Sequence, residues 1–130
     1  MFLLDTNTLI YFFKGIGNVA SNLLSKSPKD IGIPSIVIFE LEVGIAKSQS
    51  PRKRIEQLKG LITVVNIIPF GINEAKAAAG IRAQLEQKGI SIGPYDILIS
   101  GMALTLQATL VTHNTKEFKR IPKLHVEDWY

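Results

Sequence analysis

MFLLDTNTLI, residues 1–10, decides the fold. Phe2, Leu3 and Leu4 form a short apolar run without alternation. That pattern suits a strand buried on both faces of a parallel sheet. Asp5 follows at once, and a helix-prone apolar stretch over 9–13 follows the acid. An acid placed where such a strand ends lies at the rim of the sheet, where open α/β folds put their ligands. Asp5 is therefore the first functional candidate, and the remaining sequence must supply its partners.

Outward from this stretch, strands and helices alternate. Asn7 or Thr8 is suited to cap a helix over 9–14, closed by Gly15 and Gly17, and a short helix over 19–27 ends before Pro28. The second strand is 31–33. Ser35 is a suitable N-cap for a helix to Lys47, with Ile36, Phe39, Val43 and Ala46 spaced 3, 4 and 3 apart along one face. Pro51 starts a basic helix over 52–61. The β-branched run 63–68 is the third strand, ended by Pro69. A long Ala-rich helix over 73–88 stops at Gly89. Gly93-Pro94 opens a helix over 95–107 that is apolar nearly all round and should be buried. Strands follow at 109–112 and 124–126. The length suits one domain, 1–130, and the alternation predicts an α/β class fold of three α/β/α layers with a parallel sheet of about 4–5 strands; in the doubly wound arrangement the order is 3-2-1-4-5.

Composition narrows the function classes. The 130 residues are 46% hydrophobic and 20% charged, as in a globular protein able to build a proper core. No apolar run approaches the roughly 18 residues of a membrane span, and no basic segment precedes the first apolar residues, so neither a membrane anchor nor a signal peptide is expected. The absence of Cys excludes disulfides and thiolate metal sites, leaving the cytoplasm as the expected compartment. A net charge of +4 leans towards anionic partners such as nucleic acid.

Two further acids attract notice. Glu40 lies on the Ile36–Val43 stripe, whereas Glu42 points to the opposite, solvated side. An acid on a core-facing stripe is costly unless it is compensated. Asp96 sits in the first turn of the most apolar helix, where the macrodipole favours a negative charge. In a 3-2-1-4-5 sheet the first and fourth strands are neighbours, so Asp5 and Thr112-His113-Asn114 share one crevice that Glu40 and Asp96 can reach. Two charges about 4 Å apart repel by roughly 4 kcal/mol at an effective dielectric near 20. Three such pairs would cost about 12 kcal/mol, comparable to the whole stability of a domain. Either some of these acids carry protons or a cation sits among them. An all-oxygen donor set suits a hard ion, Mg²⁺ or Mn²⁺, and such a site can activate water against a phosphodiester.

The segments LLDTN (3–7), FELEVGI (39–45), GPYDILIS (93–100), ATLVTHNTKEF (108–118) and VEDWY (126–130) together resemble a PIN-domain ribonuclease of the VapC toxin type, over essentially the whole chain. The resemblance implies a metal-dependent endoribonuclease, with tRNA as a precedent for the RNA it cuts. It further implies a homodimer, neutralised by a small VapB-like antitoxin. Asp5, Glu40 and Asp96 fall on the three acids that PIN domains use to hold the metal. The fourth acidic position of many PIN domains falls on Asn114, which offers a carbonyl oxygen instead. Glu117 is either the substitute for that carboxylate or a solvated loop residue. Thr6 and Thr112 fall on hydroxyl positions that flank the acids, with orientation of Asp5 or simple packing as their roles.

Arg82 interrupts the Ala75–Ala78–Leu85 spacing; it either neutralises the acids, grips a phosphate, or covers apolar surface with its stem. His113 is placed to assist proton transfer, although a metal-activated water needs no such help. Basic residues form two blocks. Arg52, Lys53, Arg54 and Lys59 read as a solvated helix face. Lys116, Lys119, Arg120 and Lys123, next to Asn114, read as an RNA contact. An Asp-nucleophile phosphatase would need a second acid two residues after Asp5, where this chain has Asn7. A catalytically degenerate PIN domain serving as an RNA- or protein-binding scaffold is the other alternative.

Overall fold

The computed structural model describes residues 1–130. Five short strands form one parallel sheet in the order β3-β2-β1-β4-β5, the order expected from the sequence. They are β1 (Phe2–Leu4), β2 (Ile31–Pro34), β3 (Asn66–Ile68), β4 (Thr109–Val111) and β5 (His125–Glu127). The central strand β1 pairs with β2 on one side and β4 on the other, and Leu3 and Leu4 are fully buried.

Helices α1 (Thr6–Lys14), α2 (Val19–Leu24), α3 (Ser35–Lys47), α4 (Arg52–Ile62), α5 (Ile72–Gln87), α6 (Pro94–Leu106) and the short α7 (Thr115–Phe118) connect the strands. No helix is long and apolar enough to cross a membrane. As the all-round apolar pattern of α6 requires, Ile97, Ile99, Ser100, Gly101, Met102 and Ala103 are buried. Gly101 lets α6 lie directly on α5: a Cβ added there would come within 2.8 Å of the Ala78 nitrogen and Cβ.

Several local expectations change. The first helix starts at Thr6, because Asp5 itself is the N-cap: the Thr8 amide donates to Asp5 Oδ1 at 2.9 Å. Asp is among the strongest capping residues, and its position three before Thr8 lets it close the first turn ahead of Asn7. Ser35 is inside α3 and makes no capping bond; Pro34 occupies the cap position. The stripe of α3 is also different. Val37, Leu41 and Ile45 are buried, while Phe39 is 50% exposed and Ile36 and Val43 are only partly covered. Apolar residues occur on several sides of this helix, so spacing alone does not select the face that meets the sheet. Thr63–Val65 complete the turn after α4, with the Val64 and Val65 amides donating to the Leu61 carbonyl, and β3 begins only at Asn66.

Candidate active site

Parallel pairing of Leu4 with Val111 brings the carboxyl ends of β1 and β4 side by side. The Asp5 amide donates to the Val111 carbonyl at 3.1 Å, so Asp5 is locked to the strand beside it. Its side chain is 6% exposed. Burial raises the Asp5 carboxyl above its ordinary value, against hydrogen bonds from Thr112 and Thr8 that favour the ionised form. Thr112 is fully buried, and its hydroxyl oxygen also accepts the Asn114 amide at 3.1 Å. It thus ties Asp5 and the loop carrying Asn114 together. Thr6 acts elsewhere: its hydroxyl donates to Glu40 Oε1 at 2.8 Å. It orients the acid of α3 rather than Asp5. Half-buried Glu40 stands at the border of the Val37–Leu41–Ile45 face, not on a core-facing stripe.

Asp96, in the first turn of α6, is pushed up to about 6, by burial first and then by the charges of Glu117, Asp5 and Glu40. The helix N-terminus ought to lower it, so desolvation and like charges outweigh the dipole here. These interactions show that the acids from β1, α3 and α6 share one electrostatic neighbourhood, together with Glu117. Glu117 stands in α7, and the Asn114 side-chain amide donates to its carboxylate. The position that lacks an acid is thereby tied to one that has it. Asp128 also raises Asp5, a contribution the sequence reading missed. The available signal was its place directly after β5, beside the end of β4.

Arg82 lies outside this arrangement, and His113 meets it through Asp128. Arg82 is exposed on α5 and pairs with Glu86, Nε to Oε1 at 2.9 Å, one helical turn away. Its charge bears on neither Asp5 nor Asp96. The buried face of α5 is Ala78, Ile81 and Leu85, so Arg82 interrupts no apolar surface. His113 contacts Asp128 through Nδ1 at 3.0 Å and stacks on Tyr130 with ring centroids 4.1 Å apart. That packing accounts for the imidazole without a role in proton transfer.

The donor chemistry fits a hard divalent cation: uncompensated carboxylates, no sulfur, and one carboxyl raised to about 6 by burial and by its acidic neighbours. No three of these groups converge into a ready cage of ligands. Electrostatic coupling reaches further than coordination, so the two observations agree. Mg²⁺ in particular keeps several waters and needs only one or two protein carboxylates.

Residues 2–124 match the PIN domain family. The chain is 34% identical over 128 residues to the tRNA(fMet)-specific endonuclease VapC of Salmonella typhimurium (strain LT2), across 98% of this chain and 97% of that one. It is 38% identical over 131 residues to ribonuclease VapC2 of Rickettsia felis, across 99% and 98% of the two chains. In solved structures, it aligns with a chain of Rickettsia felis VapBC2 bound to a DNA fragment from their promoter, with a TM-score of 0.90, 39% identity, and 99% and 98% coverage. The DNA-bound VapBC of Salmonella typhimurium gives a TM-score of 0.92 at 34% identity, with 99% and 98% coverage. With likeness running through the whole length in both sequence and fold, the chain belongs to the PIN-domain family, among its VapC ribonucleases.

Proposed function

We propose that this chain is an endoribonuclease toxin that hydrolyses RNA phosphodiesters with Mg²⁺ or Mn²⁺. The observation that carries this reading is the gathering of acids at the carboxyl end of the sheet, where Asp5 is locked to Val111, Thr6 holds Glu40, and Asp96 is raised by burial and then by Glu117, Asp5 and Glu40. Such an arrangement is stabilised when a cation enters it. Asp5, Glu40 and Asp96 would hold the ion, one or two of them directly and the rest through its waters, with the Asn114 carbonyl oxygen beside them. When bound, the ion supplies an activated water and neutralises charge developing on the phosphate. The chain's own residues orient and exclude. Thr8 and Thr112 aim the Asp5 carboxylate, and Thr6 aims Glu40. The cations of 116–123 draw in the strand to be cut.

The Salmonella relative's specificity for tRNA(fMet) makes tRNA the first substrate class to test. The solved relatives are VapBC pairs, which supports neutralisation by a VapB-like antitoxin. The same reading includes a homodimer working in the cytoplasm, where its RNA target would be met.

The deciding experiment is cleavage of tRNA and of unstructured RNA by the purified chain, with Mg²⁺, with Mn²⁺ and with EDTA. Cleavage should appear with either ion, vanish with EDTA, and be absent from Asp5→Asn. A wild type that cuts no RNA with either ion would sink the nuclease reading in favour of a binding scaffold. Equal cutting by wild type and Asp5→Asn would expose a contaminating ribonuclease.

Glu117→Gln separates two roles of that residue. Glu117 is the first-ranked charge acting to raise Asp96. If Glu117 acts only through Asp96, its removal lowers the Asp96 pKa, and the acid limb of the pH–rate profile moves to lower pH. If Glu117 holds the ion, the rate falls across the whole profile instead.

A further inference from the structure

The basic face of α4 is not simply turned to solvent. Between α1, α3 and α4 lies a cavity of about 600 Å³, a size typical of ligand sites. Lys14, Lys53 and Arg54 line it, with Ser48 and Gln57 as neutral hydrogen-bonding groups and Glu40 on one wall. None of the three cations is paired: the ion pairs of the chain are Arg52–Glu56, Arg82–Glu86 and His113–Asp128. Arg54 is braced, its guanidinium 4.8 Å from the Phe13 ring centroid. Gln57 is braced too, donating to the Phe13 carbonyl at 3.1 Å. With three cations against one acid, the concave site keeps a net positive charge, which concentrates a polyanion.

Glu40 joins this cavity to the acidic rim, since its charge bears on Asp96 and its carboxylate accepts from Thr6. A strand whose phosphodiester is seated at that rim carries another phosphate to either side. The geometry points to the α1–α3–α4 cavity as the subsite for a backbone phosphate of the RNA strand flanking the bond that is cut, which rests on the ribonuclease reading above. The Arg54 fork suits a phosphate's paired oxygens. Lys14 and Lys53 add charge without base preference, so the subsite grips the strand and does not read its sequence.

The test is the double variant Lys53→Gln/Arg54→Gln, with Lys14→Gln as an independent single variant and Lys76→Gln on α5 as the control. Binding of a fluorescent single-stranded RNA is measured in an Asp5→Asn background over a range of salt, and cleavage is measured in the otherwise wild-type chain. Each phosphate contact on a single strand contributes about 0.7 to the logarithmic salt slope. Losing the one phosphate held here should reduce the slope by about 0.7 and weaken binding about 5-fold at 0.1 M salt. Lys14→Gln should show about half the slope change. Cleavage should weaken through KM, with kcat retained. An unchanged slope in both variants overturns the subsite, even where wild type cuts RNA. A slope change in a chain that cuts no RNA keeps the subsite and removes the nuclease reading. If RNA binding is intact and capture of a VapB-like antitoxin is weakened instead, the cavity docks protein and the proposal fails.

Discussion

Asp96→Asn is expected to lose RNA cleavage and at the same time to stabilise the metal-free protein at neutral pH. A carboxylate that holds a catalytic ion supports several kcal/mol of transition-state stabilisation, so its loss should lower kcat/KM by about 10³-fold or more. The stability effect has the opposite sign. Burial and three neighbouring acids push Asp96 up to about 6, from 3.8. The folded state therefore binds this proton more tightly than the unfolded one. Stability from Asp96 is complete below its unfolded value and is lost as pH rises through about 6. At pH 7–8 the ionised group is a net cost. Because it is partly exposed, solvent screening reduces that cost to about 1–2 kcal/mol. Asparagine removes the charge, so the variant should melt above wild type at pH 7.5 without metal, and the gap should close below about pH 4. Saturating Mg²⁺ should raise the wild type and leave Asp96→Asn almost unmoved. Thermal melts at several pH values, with and without the ion, check all of these statements. A variant less stable than wild type at pH 7.5 without metal would contradict the electrostatic account.

Gly101→Val should be the most damaging single change in the core. The nearest atoms to a Cβ at this position are the nitrogen and Cα of Ala78, at 2.8 and 2.9 Å, together with its Cβ at 2.8 Å. Backbone atoms cannot rotate aside, so α5 and α6 must separate. Overpacking of this kind costs about 3 kcal/mol, a large share of the 5–15 kcal/mol that holds a typical domain. The melting temperature should fall by roughly 10 °C for a domain of this size. Since α6 begins with Pro94, Tyr95 and Asp96, the same shift disturbs the acid at its start. Activity should therefore fall even at temperatures where the variant remains folded. A loss of less than about 1 kcal/mol in denaturant unfolding would show that the two helices are not held at this distance.

The central strands were legible because β1, β2 and β4 are short, mostly apolar runs, whereas β3 and β5 carry polar residues and lie at the edges. Alternation with helices implies a parallel sheet, and the doubly wound order 3-2-1-4-5 then puts Asp5 next to Thr112 before any contact is known. Helix faces were less legible. Apolar side chains surround α3, so a 3-4-3 spacing selects Ile36–Phe39–Val43 as readily as the Val37–Leu41–Ile45 face that is buried. Small residues surround α5, which made exposed Arg82 look like an interruption of the core. Four-residue α7 is too short for any periodicity to reveal. Asp128 escaped notice because its approach to Asp5 depends on parallel pairing of the sheet edge, a contact across more than a hundred residues.

Asp5 ends β1 and caps α1 with the same carboxylate. On the proposed metal-holding role, one side chain therefore answers two kinds of selection at once. Drift at this position is filtered first by folding, which tolerates Asn, Ser or Thr as alternative caps at little loss. The substitutions most easily survived are those that erase the charge and keep the helix start. A gene that decays at codon 5 would then yield an intact but silent protein. In a cell carrying both forms, on the proposed antitoxin pairing, the silent copy would compete for the inhibitor and so raise the free fraction of the active one.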